Sequence, residues 1–401
     1  MTKVKTFVCL LLTCLIMVSY ENRTVAQDDL NPIVLYISRA AEVTSDEIKT
    51  IVPGATVVEV PGDLSQTSAG NESRFREFEL QVGDAKYSLF IRDQGIARDQ
   101  LNGLSGFLQH HAEIMDQHTF HIIRRVQRTS TVLSLVPSKD WNDESRQLVR
   151  KLAAEFKAVV FSSDQTVTDH DLRTMSGPEE NRDPKATMLE YDSALARRTR
   201  SFQFLQEKNL KGPSGHPVVV ADEEVRFRSA KEIADRALVL AIVAAHAGEP
   251  NPEFVRDLIR SLDLAKAVSP EERAFLRKAK PDAAEAHSLT WRYEACYALL
   301  WSVGLEDELP FPTDQCDANK IVELLLDPEV KQKVAKAKLR PTSEILDAVD
   351  LTYRLAWIGQ NARMNNEPEP ISPDVVLERH YAFCWLIRHF NRDWDDVSPD
   401  T

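Results

Sequence analysis

A chain of 401 residues, 43% hydrophobic and 28% charged, is too long for one ordinary core and has the composition of a folded globular protein, not of a disordered or fibrous one. Its formal net charge of -13 argues against the basic surface that phosphate neutralisation needs, so nucleic acid is not an expected partner.

Lys3 and Lys5 precede an apolar run from Phe7 to Val18, and polarity returns at Glu21, Asn22 and Arg23. A charged start followed by a short apolar stretch predicts a secretory signal over residues 1–26, with cleavage after Thr24-Val25-Ala26 and a mature chain from Gln27. The run is short for a comfortable bilayer span, so no membrane span is expected after cleavage and the chain is expected in the periplasm or outside the cell. Two alternatives stay open, an uncleaved anchor and lipid attachment at Cys14. Cleavage removes Cys9 and Cys14 and leaves Cys296, Cys316 and Cys384, too few for a disulfide framework. Cys296 and Cys384 lie in apolar helical runs and read as buried; Cys316, in a loop, is the thiol to test for reactivity.

Residues 30–175 alternate between strand and helix. The compact run 33–37 reads as a buried strand, 44–52 as a short helix capped by Thr44 or Ser45, and 55–60 as a second strand. Gly83-Asp84 marks a hairpin between strands 75–82 and 85–92. Helical spacing from 98 to 125 is followed by a strand at 131–136, a helix at 143–157 and a last strand at 158–162. This order predicts a mixed sheet with helices on one face, close to a ferredoxin-like layer.

Gly177, Pro178 and Pro184 mark a linker, and residues 176–222 are expected to hold that linker and one charged helix, 188–208. From 223 to 401 the period is helical almost throughout. Ser229-Ala-Lys-Glu232 is a capping box opening a helix that runs to His246, and Ser269-Pro270 starts another. Further helices are predicted at 283–304, 317–326, 343–364 and 373–390. The stretches 237–245 and 289–303 are apolar nearly all round, which places them in the middle of an irregular helical bundle. The fold class expected is therefore α+β, a ferredoxin-like α/β layer followed by a larger all-helical domain.

The helical half resembles the bacterial domain-of-unknown-function family 4272. The resemblance is carried by Arg226-Phe-Arg-Ser-Ala-Lys-Glu-Ile-Ala-Asp-Arg236, Leu289-Thr-Trp-Arg-Tyr-Glu294, Ala298-Leu-Leu-Trp-Ser-Val-Gly304, Leu339-Arg-Pro341, Glu378-Arg-His-Tyr381 and Trp394-Asp-Asp-Val397. The α/β half, ending in Val160-Phe-Ser-Ser-Asp164, is similar to the segment that often precedes this domain. The resemblance implies a family and no activity, and the export signal departs from many of its members.

Arg292 and Glu294 interrupt an otherwise apolar helix. Two residues apart means about 200° around the axis, so they face apart and each needs a partner from elsewhere. Arg236 poses the same question on its helix, and Glu378, Arg379 and His380 pose it on the last one. These six residues form the candidate cluster, either a ligand site or a buried ion-pair lattice joining three helices. His380 and Cys384 share a helical face at metal-ligand spacing, yet read as a core histidine beside a buried thiol. His110, His111, His118 and His121 fall within twelve residues; on one continuous helix His111, His118 and His121, with Glu113 or Asp116, would outline a divalent site. No spacing there matches a recognised metal signature. Asp393-Trp394-Asp395-Asp396 lacks the glycine and terminal glutamate of a calcium loop, and Trp394 reads as a pin for the carboxyl end.

No phosphate loop, nucleophile elbow or Cys-x-x-Cys occurs, so no cofactor and no metal is expected. The first reading is an exported binding or scaffolding protein whose helical domain holds a protein partner or small ligand. The alternatives are a hydrolase with Glu294 or Glu378 as general base, and a metal binder through His111, His118 and His121.

Overall fold

In a computed structural model of the protein, the described residues are 32–60, 64–68, 71–94, 96, 98–112, 114–213, 215–368 and 370–399, and the expected signal segment with Cys9 and Cys14 lies outside them. Packing divides the chain into two compact units meeting in sequence between Tyr191 and Asp192. Residues 176–191 thus belong with the sheet unit, and the charged helix expected after the linker belongs with the helical one.

The sheet of the first unit is organised around β1 (Ile33–Ile37), whose five residues are all buried. Its neighbours are β6 (Thr131–Pro137) and β7 (Val159–Ser162). With β2 (Thr56–Glu59), β3 (Leu64–Ser68), β4 (Asn71–Val82), β5 (Ala85–Gln94) and β8 (Val167–Thr168), the order is β2-β4-β5-β6-β1-β7-β8, and β3 pairs with β4 beside β2.

Alternate β1 residues point to opposite faces, and both faces are covered. Leu35 and Ile37 pack with Leu80, Leu89 and Leu133 against α1 (Ser45–Ile51) and α4 (Asp143–Glu155). Val34 and Tyr36 pack with Phe161 against α2 (Arg98–His111) and α3 (Gln117–Gln127). The α+β class holds, but the mixed sheet with helices on one face does not: every pairing between these strands is antiparallel, and helices lie on both sides. The physical reason stands in β1 itself, an unbroken apolar run with no polar face to give to water.

The helix expected from 98 to 125 is two helices. Asp116 caps the second by accepting from the Thr119 N–H at 2.8 Å, and the Arg182 guanidinium holds the same carboxylate at 2.6 Å. Burial pushes the Asp116 carboxyl up, but these donors outweigh it and bring it down to about 2.

The second unit comprises α5 (Asp192–Glu207), α6 (Ala230–Gly248), α7 (Pro252–Ser261), α8 (Pro270–Phe275), α9 (Ala283–Thr290), α10 (Arg292–Ser302), α11 (Ala318–Leu326), α12 (Val330–Ala335), α13 (Thr342–Asn365) and α14 (Pro373–Leu386). The expected capping box forms between Ser229 and Glu232, and the helix start at Ser269-Pro270 carries a second one, Ser269 with Glu272. α6 and α10 are the centre of the core, as their all-round apolarity requires. The helix expected over 283–304 breaks at Trp291, so Arg292 stands at the first position of α10. Gly304 ends that stretch with φ +72°, a conformation that glycine adopts without a Cβ clash. Among the described residues, no helix is long and apolar enough to cross a membrane.

Candidate functional site

α10 and α14 face each other, and their charged residues pair crosswise. Arg292 Nη1 donates to both oxygens of Glu378, at 3.0 and 3.2 Å. On the other side of α10, Glu294 Oε2 accepts from Arg379 Nε at 3.2 Å and Nη2 at 3.1 Å. Glu294 Oε1 accepts the Cys316 backbone N–H at 2.5 Å, and Arg379 Nη1 donates to the Pro310 carbonyl at 2.6 Å. Two helices and the loop after α10 are thus tied at one buried ion pair, whose side chains are 4% and 3% exposed, against 20% and 15% for Arg292 and Glu378. Burial pushes the Glu378 carboxyl up, against the pull of Arg292.

Arg236 pairs with Glu272, the residue that also closes the α8 capping box by accepting from the Ser269 N–H at 2.9 Å. The Arg236 guanidinium lies 4.8 Å from the Trp394 ring centre, and the Arg292 guanidinium lies 5.6 Å from the same ring and 4.7 Å from Tyr381. Tyr381 meets Trp394 edge-on at 4.8 Å and donates its hydroxyl to the Trp394 carbonyl. Cations over aromatic faces offset part of the desolvation that buried guanidinium groups suffer. Trp394 therefore pins the carboxyl end as its sequence suggests, at the junction of two charge pairs.

The structure thus brings together five of the six candidates, through Trp394 and the facing helices. His380 is buried on the far side of α14, its ring centre 5.8 Å from Tyr353, and Cys384 is buried on the same helix. Cys316 is half-buried, and burial together with the Glu294 carboxylate pushes its thiol far up, the reverse of an activated nucleophile.

The histidine group is dispersed. His111 ends α2 and stacks on Phe107 at 4.9 Å, and His118 lies in α3 with Nε2 3.1 Å from the Met175 carbonyl. His121 is half-buried one turn further on, and Glu113 lies outside the described residues. α2 ends at His111 and α3 begins at Gln117, so the histidines do not share the one continuous helix that would have aligned them. Among the described residues no three His, Cys, Asp or Glu side chains converge as a metal site would need.

Sequence reasoning missed the most deeply buried pair. Asp350 and Arg354 are 0% exposed, bound at 2.8 Å through both oxygens, with Arg354 over the Phe202 ring at 4.8 Å. Their i,i+4 spacing on one helix was the available signal. Also missed was a cavity of about 210 Å³ whose wall includes Phe204, Trp301, Phe311, Leu351, Leu355 and Val376, with Arg379 as its charged member.

Chemically, a general base needs a lone pair open to a reacting group. Glu294 has both oxygens engaged by three donors and is sealed, and both Glu378 oxygens accept from one arginine. The cluster is a rigid ionic frame beside an apolar cavity.

Fold and cluster define an α+β protein whose helical unit is built on crossed ion pairs. That unit matches the family described as Domain of unknown function (DUF4272) over residues 197–397, and the chain belongs to this family. No curated protein and no solved structure matches the chain.

Proposed function

We propose that this protein is an exported binding protein whose helical unit holds a small ligand or a partner's side chain. The observation that carries the reading is the apolar cavity beside Arg379, walled by residues that the Glu294–Arg379 pair and its loop hold in place. A pocket with an apolar wall and few polar groups is the usual form of a ligand site. The engaged carboxylates favour this reading over hydrolysis, since neither Glu294 nor Glu378 offers a base beside the cavity. Export is supported by Lys3, Lys5 and the apolar run that follows them.

Native mass spectrometry of the protein purified from its own host without denaturation tests the binding reading. A stoichiometric bound molecule or partner is expected. A bare protein that instead turns over ester or glycoside substrates, with turnover lost in Glu378→Gln, overturns it in favour of the hydrolase. Fractionation of the same cells tests export: the chain should be found outside the cytoplasm and begin at Gln27. A cytoplasmic chain beginning at Met1 removes that part.

A further inference from the structure

The cavity has a chemical polarity of its own. None of the residues lining it is acidic. Glu294 and Pro310 take three of the five N–H groups that a guanidinium carries, leaving Arg379 one N–H on each terminal nitrogen. Arg379 is buried and belongs to the cavity lining. A second cation stands nearby: the exposed Lys208 ammonium lies 5.7 Å from the Phe204 ring centre and 5.4 Å from that of Phe311, both of them wall residues. Among the described residues Lys208 makes no ion pair. The wall and the ammonium beside it thus offer two cationic side chains and no acidic one.

Size narrows the occupant. An apolar cavity of about 150 Å³ is enough for benzene. The cavity here, about 210 Å³, admits one aromatic ring or a short acyl chain with a small polar end.

We infer that the cavity takes a small apolar carboxylate, its hydrocarbon against Trp301, Leu351 and Leu355 and its carboxylate toward Arg379 and Lys208. The inference rests on the helical unit being a binding module and names the class of ligand. A protonated amine of the same shape meets two cations and donors it cannot use. A neutral alcohol forgoes the charge.

Calorimetric titration of the full mature chain with phenylacetate, 2-phenylethanol and 2-phenylethylamine tests it. Phenylacetate should bind at least about ten-fold more tightly than the alcohol, with the amine weakest. Lys208→Met should weaken phenylacetate about two- to five-fold and flatten its salt dependence, with Lys208→Arg restoring both. Ala348→Trp should fill the cavity and abolish binding. Should that variant not fold, Lys208→Met decides the matter, because its side chain is exposed. Alcohol or amine binding as tightly as phenylacetate overturns the ligand class and leaves the binding reading standing. Binding of none of the three overturns the inference, and the binding reading falls with it only if the native mass spectrum is also bare.

Discussion

Arg292 Nη1 lies 3.0 Å from Glu378 Oε2, and two residues further along α10, on its other side, the polarity is reversed, with Glu294 on α10 and Arg379 on α14. The two pairs differ in burial, so their energetic roles differ. Breaking a fully buried pair strands a charge at a cost of about 3–5 kcal/mol, whereas a pair that water reaches is worth far less.

Glu294→Gln and Arg379→Met should therefore each destabilise the protein by about 3–5 kcal/mol. Arg292→Met should cost only about 1–2 kcal/mol, because Glu378 retains some solvent. Urea unfolding followed by circular dichroism measures all three. Equal losses would show that both pairs are sealed alike.

The Glu294 carboxylate that holds the Cys316 backbone also suppresses its thiol. Alkylation of Cys316 at pH 8 should be slow in the wild type and at least about ten-fold faster in Glu294→Gln, since the anionic neighbour is removed and the loop loosened. Peptide mapping after timed iodoacetamide treatment reads the rate. Unchanged labelling would mean that burial alone controls the thiol.

His246 is buried in α6, with Nδ1 accepting from the Asn251 N–H at 3.1 Å and Nε2 3.0 Å from the Lys278 carbonyl. These partners specify a neutral ring protonated at Nε2. Burial holds its pKa below the ordinary 6.5, against the Lys278 carbonyl, which favours the charged form. In the unfolded chain this histidine gains a proton at about pH 6.5, and the folded one does so only at lower pH. The unfolded state binds more protons in that window, so stability should fall as pH drops from 6.5 toward the folded pKa and level off below it. Comparing urea midpoints at pH 7.5 and 5.5 for wild type and His246→Gln isolates the effect, and an equal pH response in the two would assign it to other groups.

Trp394 touches two cations and two aromatic rings. Trp394→Ala should cost about 3–5 kcal/mol, and Trp394→Phe, which keeps an aromatic face, roughly half of that. Thermal unfolding distinguishes them.

The demand for partners at Arg292 and Glu294 was legible, because a helix places residues two apart on opposite sides of its axis. The partners' identities were not, since the packing of α14 on α10 decides which charges meet. Glu272 illustrates the limit: its role in a capping box is a local pattern, but its bond to Arg236 spans 36 positions. Likewise β3, Leu64-Ser-Gln-Thr-Ser68, has no apolar alternation, and its place follows from the open edge of β4 that β2 leaves uncovered. Sequence reasoning missed α7 although its signals were present, Asn251 as cap with Pro252 behind it and an apolar stripe at Phe254, Val255, Leu258 and Ile259. The sequence between α2 and α3 has neither glycine nor proline, and only Asp116 in capping position announces the second helix.

The partners of Arg292 and Glu294 at the start of α10, and the ring that Arg236 and Arg292 share, come late in the chain: Glu378, Arg379 and Trp394 all follow α13. This interior cannot be completed until Trp394 has been made, well after α6 and α10. The helical unit thus closes late in the order of synthesis, while the sheet unit, ending at Tyr191, has all its residues in place before the helical unit is made.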